Sequence, residues 1–177
     1  FTSNVEAGKA VLAFEPGDVL LSFVPLNHVL GRLVDHYLPL SAGATVAYVE
    51  NLRRLRQDME EVKPHYMVLV PRVFEMFHEG LLKNMARESR FKQKIFHWTL
   101  AVGEQCTDLL QERKSVPISL GLKWHVADKF IFSKIRRRLG LERLKLFFSG
   151  GAPISVSTAR FFSAMKLTIM EGYGLTE

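Results

Sequence analysis

Residues 144–153 read LKLFFSGGAP and residues 168–177 read TIMEGYGLTE, and these two segments determine how the chain folds. Each segment opens with a short apolar run and ends in glycines, a pattern typical of a buried strand that leads into a close turn. Residues 155–165 lie between them and predict a helix with Ser155 as its N-cap. The predicted order is therefore strand, glycine-rich loop, helix, strand and glycine-rich loop.

The same alternation extends towards the N-terminus. Apolar runs at residues 19–24, 44–49 and 66–70 predict three more strands, each followed by a helical pattern. Alternating strands and helices favour an α/β fold with a mainly parallel sheet and helices on both faces. We expect residues 1–177 to form part of one domain, in which two long helices at about residues 88–140 form a helical insertion.

The two glycine-rich loops are the first candidate for a binding site. Loops that follow parallel strands gather at one edge of the sheet, where backbone N–H groups and helix starts favour an anion such as phosphate. Tyr173 offers a flat aromatic face, Thr176 a hydroxyl and Glu177 a carboxylate suited to Mg²⁺. The alternative is that Gly172 and Gly174 serve a tight turn while Tyr173 packs in the core.

Composition narrows the class of protein. The chain is 47% apolar, which indicates a folded domain, and its single cysteine, Cys106, excludes an internal disulfide and favours a reducing compartment. The sequence contains neither a signal peptide nor a long apolar segment, so we expect a cytoplasmic protein, free or peripheral at a membrane. The first residue is Phe1 and the last lies inside a motif, from which we expect a piece of a longer protein.

The net charge of +6 is concentrated in one region. Residues 121–146 hold eight Lys or Arg and two Asp or Glu, an excess of six positive charges, and the rest of the chain holds sixteen of each sign. This basic segment is either a surface for anionic lipid, nucleic acid or substrate phosphates, or an ordinary solvated helix face. Because the chain lacks a nucleic-acid recognition motif, we do not expect nucleic acid as a partner.

Two kinds of enzyme are disfavoured by spacing. Phe147 stands where a serine-hydrolase elbow would need a glycine before Ser149, and the six histidines form neither an i, i+4 pair nor a zinc motif. His28 is the histidine of interest, because it follows the first predicted strand and should lie at the same sheet edge as the glycine-rich loops.

These segments carry a resemblance to a known family. SGGAP at residues 149–153 and EGYGLTE at residues 171–177 are similar to the paired signature of the adenylate-forming AMP-binding enzymes, and most closely to their long-chain fatty-acid–CoA ligases. The similarity continues through PLNH at residues 25–28, VPRVFE at residues 70–75 and ADKFIFSKI at residues 127–135. It therefore covers nearly the whole chain.

The resemblance implies a role for each residue of the two loops. Tyr173 would stack on adenine, Thr176 would contact the α-phosphate and Glu177 would help to hold Mg²⁺. His28 would line the pocket near the acyl carboxylate and the leaving pyrophosphate. The remaining nucleotide-binding positions would be glycines of both loops and the residues that border the adenine pocket and the acyl tunnel: Gly150, Gly151, Ala152, Pro153, Gly172 and Gly174.

The reaction implied has two steps. A fatty carboxylate attacks the α-phosphate of ATP to give acyl-AMP and pyrophosphate, and the thiol of coenzyme A then displaces AMP. The implied cofactors are ATP and Mg²⁺, with coenzyme A as co-substrate. The family's triphosphate loop, ribose-binding aspartate and small C-terminal domain would lie outside this sequence.

Two other interpretations remain open. One keeps the adenylate chemistry but changes the carboxylic acid, as in luciferase-like, aryl or amino-acid-activating relatives. The other is a non-catalytic basic module that binds an anionic membrane surface or a partner. The EGYGLTE motif favours the enzyme over the module, because a headgroup binder would not need it.

Overall fold

The computed structural model describes residues 2–174 of the chain. Within that range the strands form one parallel sheet in the order β2-β1-β3-β4-β5. The strands are β1 (Val19–Ser22), β2 (Thr45–Tyr48), β3 (Tyr66–Leu69), β4 (Leu146–Ser149) and β5 (Ile169–Glu171). The predicted α/β fold with a parallel sheet is confirmed.

The helices connect these strands in sequence. They are α1 (Thr2–Val11), α2 (Leu38–Ser41), α3 (Leu55–Val62), α4 (Pro71–Ala86), α5 (Arg90–Gln111), α6 (Ile118–Ala127), α7 (Ser133–Arg138) and α8 (Val156–Ala164). A π-helical segment, Gly31–Tyr37, runs directly into α2, and a second one, Asp128–Phe132, joins α6 to α7.

Strand residues alternate between two hydrophobic cores, because successive side chains of a strand point to opposite faces of the sheet. On one face, Leu20, Val68 and Phe148 pack against α1 and the π-helical segment before α2. On the other face, Met67 and Phe147 pack in a larger core with residues of α3 to α8. Helices therefore cover both faces, as the alternation of strands and helices predicted.

The strand order fixes where the loops meet. The chain passes from β1 to the edge strand β2, then returns across β1 to β3 and continues outward to β4 and β5. Because all the strands are parallel, the loops after β1, β3, β4 and β5 leave from the same carboxyl edge of the sheet. The change of direction between β1 and β3 is the kind of position at which open α/β sheets bind ligands.

The segment at residues 88–140 packs on the rest of the domain. Phe96 of α5 and Phe132 after α6 are fully buried in the same core as Met67 of the sheet. Trp124 of α6 donates a hydrogen bond from Nε1 to the carbonyl oxygen of Ala164, at 2.9 Å. The two long helices therefore belong to the larger core.

The helix after β1 begins later than the sequence pattern predicts. Residues 25–31 predict the start of a helix that runs to about Leu40 with Asn27 as its cap, and the structure confirms the helix but not its start or its cap. In the structure residues 25–28 form a turn, and the nitrogen Nδ1 of His28 accepts a hydrogen bond from the backbone N–H of Leu30, at 3.2 Å. The helix then passes through its π-helical segment, where a side chain at Gly31 would meet the carbonyl oxygen of Pro25 at 2.5 Å.

Candidate functional site

The loops after β4 and β5 enclose a cleft at the carboxyl edge of the sheet. Its volume is about 520 Å³, within the range of small-molecule sites. The residues that line it come from both loops: Gly151, Ala152, Pro153, Glu171, Gly172, Tyr173 and Gly174. Two separate sequence segments are thus brought together by the pairing of two neighbouring strands, in which Ser149 pairs with Glu171.

Two hydrogen bonds hold the loops in this arrangement. The backbone N–H of Gly172 donates to the carbonyl oxygen of Ser149 at 2.8 Å, which extends the β4–β5 pairing past the end of the strands. The carboxylate of Glu171 accepts from the backbone N–H of Ile154 at 3.0 Å. Glu171 was part of the quoted motif, but the sequence assigned it no role. It ties one loop to the other.

The glycines of the first loop serve different purposes. A Cβ at Gly150 would lie 3.1 Å from the side chain of Leu30, so this glycine lets the π-helical segment pack closely against the loop. Gly151 has φ of +84°, a left-handed conformation that favours glycine. A Cβ at Gly151 or Gly174 would meet nothing within 4 Å among the described residues, which leaves space on the cleft side.

The side chain of Tyr173 is 92% exposed at the mouth of the cleft. The alternative in which this tyrosine packs in the core is therefore wrong. An exposed ring beside glycines is available to stack on a flat ligand such as a nucleobase.

A second cavity, of about 220 Å³, adjoins the cleft. It is bounded by α1, the π-helical segment and strands β4 and β5, and it shares Gly172 with the cleft. Its lining is mostly aliphatic and aromatic: Gly8, Val11, Leu12, Leu30, Val34, Phe148, Ser149, Met170 and Gly172. An apolar cavity that meets a polar-backbone cleft can take the two ends of an amphipathic ligand.

His28 lies on the loop after β1, at the same carboxyl edge, but it does not line the cleft. Its side chain is exposed, and its ring contacts the backbone N–H of Leu30. The connection to the cleft runs through Leu30, whose side chain lies beside Gly150. The structure thus places His28 near the site without bringing it into contact with the two glycine-rich loops.

Asp35 anchors the His28 loop, and the sequence did not single it out. This fully buried carboxylate accepts hydrogen bonds through Oδ2 from Ser22 Oγ at 3.1 Å and from the backbone N–H of Val24 at 3.2 Å. Its other oxygen, Oδ1, is buried without a hydrogen-bond partner among the described residues. Burial raises the pKa of Asp35 to about 7. The sequence could have indicated the buried Asp35, because it is a carboxylate within the mostly apolar run LVDHYL at residues 33–38.

The predicted catalytic residue Thr176 and the predicted metal ligand Glu177 lie outside the described residues, so their roles stay predictions. Between residues 2 and 174, histidine, cysteine and carboxylate side chains form no cluster of three suited to a metal ion. In the same range, none of the helices combines the length and the apolar composition that a membrane crossing requires.

A pair of glycine-rich loops at the carboxyl edge of a parallel sheet is the arrangement of a nucleotide-binding α/β enzyme. The chain belongs to the AMP-binding enzyme family, because the sequence model of that family matches residues 1–177. The resemblance drawn from the two motifs is therefore confirmed at the level of the family.

Two curated relatives are named as a long-chain fatty-acid–CoA ligase and a long chain acyl-CoA synthetase. The chain is 32% identical over 164 residues to the long-chain-fatty-acid–CoA ligase ACSBG2 of Rattus norvegicus, covering 90% of the chain and 24% of the rat protein. It is 37% identical over 166 residues to long chain acyl-CoA synthetase 1 of Arabidopsis thaliana, covering 90% of the chain and 23% of that protein. The chain thus spans about a quarter of the length of these relatives.

A solved structure supports the same fold. The adenylation domain of the carboxylate reductase from Mycobacterium chelonae matches with a TM-score of 0.59 and 25% identity, over 99% of this chain and 23% of that chain. The sheet described above is thus part of an adenylate-forming domain.

Proposed function

We propose that the full-length protein is an ATP-dependent long-chain fatty-acid–CoA ligase. It would activate a fatty acid as acyl-AMP and pass the acyl group to coenzyme A. The observation that carries the proposal is the cleft between the two glycine-rich loops, held by the Glu171–Ile154 and Gly172–Ser149 hydrogen bonds. Its motifs belong to the AMP-binding family, and the curated relatives are ligases of this kind.

The described residues fit an adenylate. The exposed ring of Tyr173 would stack on the adenine, and the open space beside Gly151 and Gly174 would admit the nucleotide close to the backbone. The backbone N–H groups of glycine-rich loops suit phosphate oxygens. The cavity beside Gly172 would then receive the first part of an acyl chain.

The motif at residues 171–177 contains two carboxylates that could bind Mg²⁺, Glu171 and Glu177. Glu171 already accepts a hydrogen bond from Ile154, so it is the less suitable of the two carboxylates in the motif. Glu177 would be the ligand, with Thr176 at the α-phosphate. When bound, Mg²⁺ would neutralise charge on the triphosphate during adenylation.

The protein's own contribution would be positioning. A fatty carboxylate attacks the α-phosphorus and pyrophosphate leaves, after which the coenzyme A thiol attacks the acyl carbonyl and AMP leaves. Neither step needs a nucleophile from the protein. Holding the carboxylate and the nucleotide in line can lower the barrier by roughly 7–11 kcal/mol. The Asp35-anchored loop would set the position of His28 beside them.

The test uses the full-length protein and three variants at one residue. We expect fatty-acid-dependent ATP–pyrophosphate exchange and thioester formation with palmitate. Tyr173→Ala should raise the Kd for ATP by about 5- to 150-fold, since stacking on a base contributes on the order of 1–3 kcal/mol. Tyr173→Phe keeps the ring and should bind ATP nearly normally, and Tyr173→Leu should fall between the two.

Two outcomes would contradict the proposal. Equal ATP affinity in Tyr173→Ala and wild type would mean that the Tyr173 ring does not stack on the adenine. Pyrophosphate exchange with short-chain acids, aromatic acids or amino acids, but not with long-chain acids, would mean that the protein forms an adenylate from a different class of carboxylic acid. The similarity to the adenylation domain of a carboxylate reductase makes that second outcome a defined alternative.

A further inference from the structure

Helix α6 is apolar on two sides, although only one side is covered. Its inner side packs on the domain through Trp124 and Ala127, which belong to the larger core or lie against it. The described residues leave the apolar side chains on the outer side of α6 exposed.

The outer side carries a regular exposed stripe. Ile118, Leu122 and Val126 lie four residues apart on α6, and Phe130 follows at the same spacing in the next π-helical segment. Their exposed fractions are 92%, 63%, 42% and 54% in that order. Residues four apart lie on one face of a helix, so these four side chains form one continuous apolar stripe.

Lysines flank this stripe. Lys123, Lys129 and Lys134 are exposed, and within residues 2–174 none of them has a carboxylate within 4 Å. The Nζ atom of Lys129 lies 5.9 Å from the centre of the Phe130 ring. At least one positive charge therefore lies next to a side chain of the apolar stripe.

The acidic charge in this region is already neutralised. Asp128 is the single acidic residue between residues 113 and 141. Its carboxylate binds Arg136 Nη1 at 2.6 Å and Lys166 Nζ at 3.2 Å. The lysines beside the stripe therefore face outward with their charge uncompensated by the local sequence.

We propose that α6 and the turn after it lie on the surface of a bilayer that contains anionic lipid. The apolar stripe enters the boundary between headgroups and acyl chains, and the flanking lysines contact the headgroups. Charge distinguishes this occupant from another protein surface, because lysine is depleted at protein interfaces. The apolar stripe distinguishes it from nucleic acid, whose phosphate backbone attracts cations but not an exposed row of Ile, Leu, Val and Phe.

The proposed lipid-binding surface on α6 is not the same as the basic segment that the charge count indicated. The basic segment at residues 121–146 also contains three consecutive arginines, Arg136, Arg137 and Arg138. Arg136 is half-buried and donates both to Asp128 and to the carbonyl oxygen of Met165, at 2.8 Å, so it stabilises the fold. The lipid-facing cations are instead the lysines next to the stripe.

The experiment is sedimentation of the full-length protein with vesicles of phosphatidylcholine, alone or with phosphatidylglycerol. We expect binding mainly to the mixed vesicles, weakened by salt. Changing Lys123, Lys129 and Lys134 together to Gln should lower the affinity by roughly five-fold per lysine. Leu122→Ser with Phe130→Ser should lower it by about ten-fold or more, because the apolar area entering the bilayer is lost.

Matched controls change the same residue types elsewhere. Leu52→Ser removes an exposed leucine before α3, and Lys83→Gln removes an exposed lysine on α4; neither should change vesicle binding. A Leu122→Cys variant should react with a water-soluble maleimide in the absence of vesicles and be protected by mixed vesicles.

Three results would overturn the proposal. One is vesicle binding unchanged by both sets of substitutions. Another is a Leu122→Cys side chain that is already protected without vesicles, which would mean that another part of the protein covers the stripe. The third is tighter binding to a DNA duplex than to mixed vesicles at the same salt concentration. Because the readout is lipid binding, it is independent of ligase activity.

Discussion

The carboxylate of Glu171 accepts a hydrogen bond from the backbone N–H of Ile154, with 3.0 Å between Oε1 and N. Glu171 ends strand β5, while Ile154 lies in the loop after β4. The bond therefore spans the mouth of the cleft and fixes the distance between the two glycine-rich loops. A nucleotide placed between these loops would depend on that distance.

Replacing Glu171 by Ala should weaken nucleotide binding in the full-length protein. A hydrogen bond to a charged group contributes about 1.5–3 kcal/mol, and the exposure of Glu171 places this one at the lower end. We expect the KM for ATP to rise by roughly ten-fold. Glu171→Gln keeps an acceptor oxygen and should stay close to wild type, and Glu79→Ala, an exposed carboxylate on α4, is the control. Equal losses in the Ala and Gln variants would mean that the charge, and not the bridge, is what matters.

Asp35 should make stability depend on pH. Burial raises the pKa of this carboxyl to about 7, above its ordinary value of 3.8, so the folded state holds a proton that the unfolded state releases. The stabilisation is complete below about pH 4 and is lost as the pH rises towards 7, by up to about 1.4 kcal/mol per pH unit. Asp35→Asn mimics the neutral form and should remove this slope.

Chemical unfolding of wild type and Asp35→Asn between pH 4 and 8 measures the effect. We expect the free energy of unfolding of the Asp35→Asn variant to increase relative to that of wild type as the pH rises, because only wild type loses a proton from this site. Parallel curves would mean that Asp35 is ionised throughout, with its charge compensated by Ser22 and Val24 alone.

Arg136 should matter for stability more than its two neighbours. Burial acts to raise the pKa of Asp128, but the hydrogen bond and charge of Arg136 outweigh it and hold that pKa below its usual value. Arg136→Ala should cost about 2 kcal/mol of unfolding free energy, while Arg137→Ala should cost less than about 0.5 kcal/mol. The difference should shrink as the pH falls below about 4, where the unfolded chain takes up a proton at Asp128, and should be lost once the pH passes the lower pKa of folded Asp128. Thermal melts at pH 7 and pH 3 test both statements, and equal losses for the two variants would contradict them.

Glu177 is predicted from the sequence motif to work mainly in adenylation. Glu177→Gln keeps the size of the side chain and removes its charge. If Glu177 holds Mg²⁺ on the triphosphate, adenylation should slow by about 30- to 1000-fold, corresponding to roughly 2–4 kcal/mol. Thioester formation from preformed acyl-AMP should change much less, because the triphosphate is no longer present.

Both half-reactions should be measured in the full-length protein with a long-chain acid. Circular dichroism of the variant provides the check on folding. Equal losses in the two half-reactions, with folding intact, would assign Glu177 to the scaffold and not to the adenylation step.

The sequence by itself determined the architecture, because its signals are local. Apolar runs bounded by glycine or proline mark the strands, and the pairs Leu20–Leu21 and Phe147–Phe148 are apolar at successive positions because both faces of the sheet are covered. The two glycine-rich motifs likewise located the cleft, since strand ends in a parallel sheet share one edge.

Tertiary structure decided which residues act on one another over long distances. The hydrogen bonds of Asp35 to the end of β1 depend on the π-helical segment, whose register cannot be read from helical periodicity. Whether a basic residue faces solvent or a carboxylate is also set by packing, which buries Arg136 against Asp128 and leaves Lys129 exposed. Composition counts those two charges equally, but burial and pairing give them different roles, because the interaction of a charge depends on its surroundings.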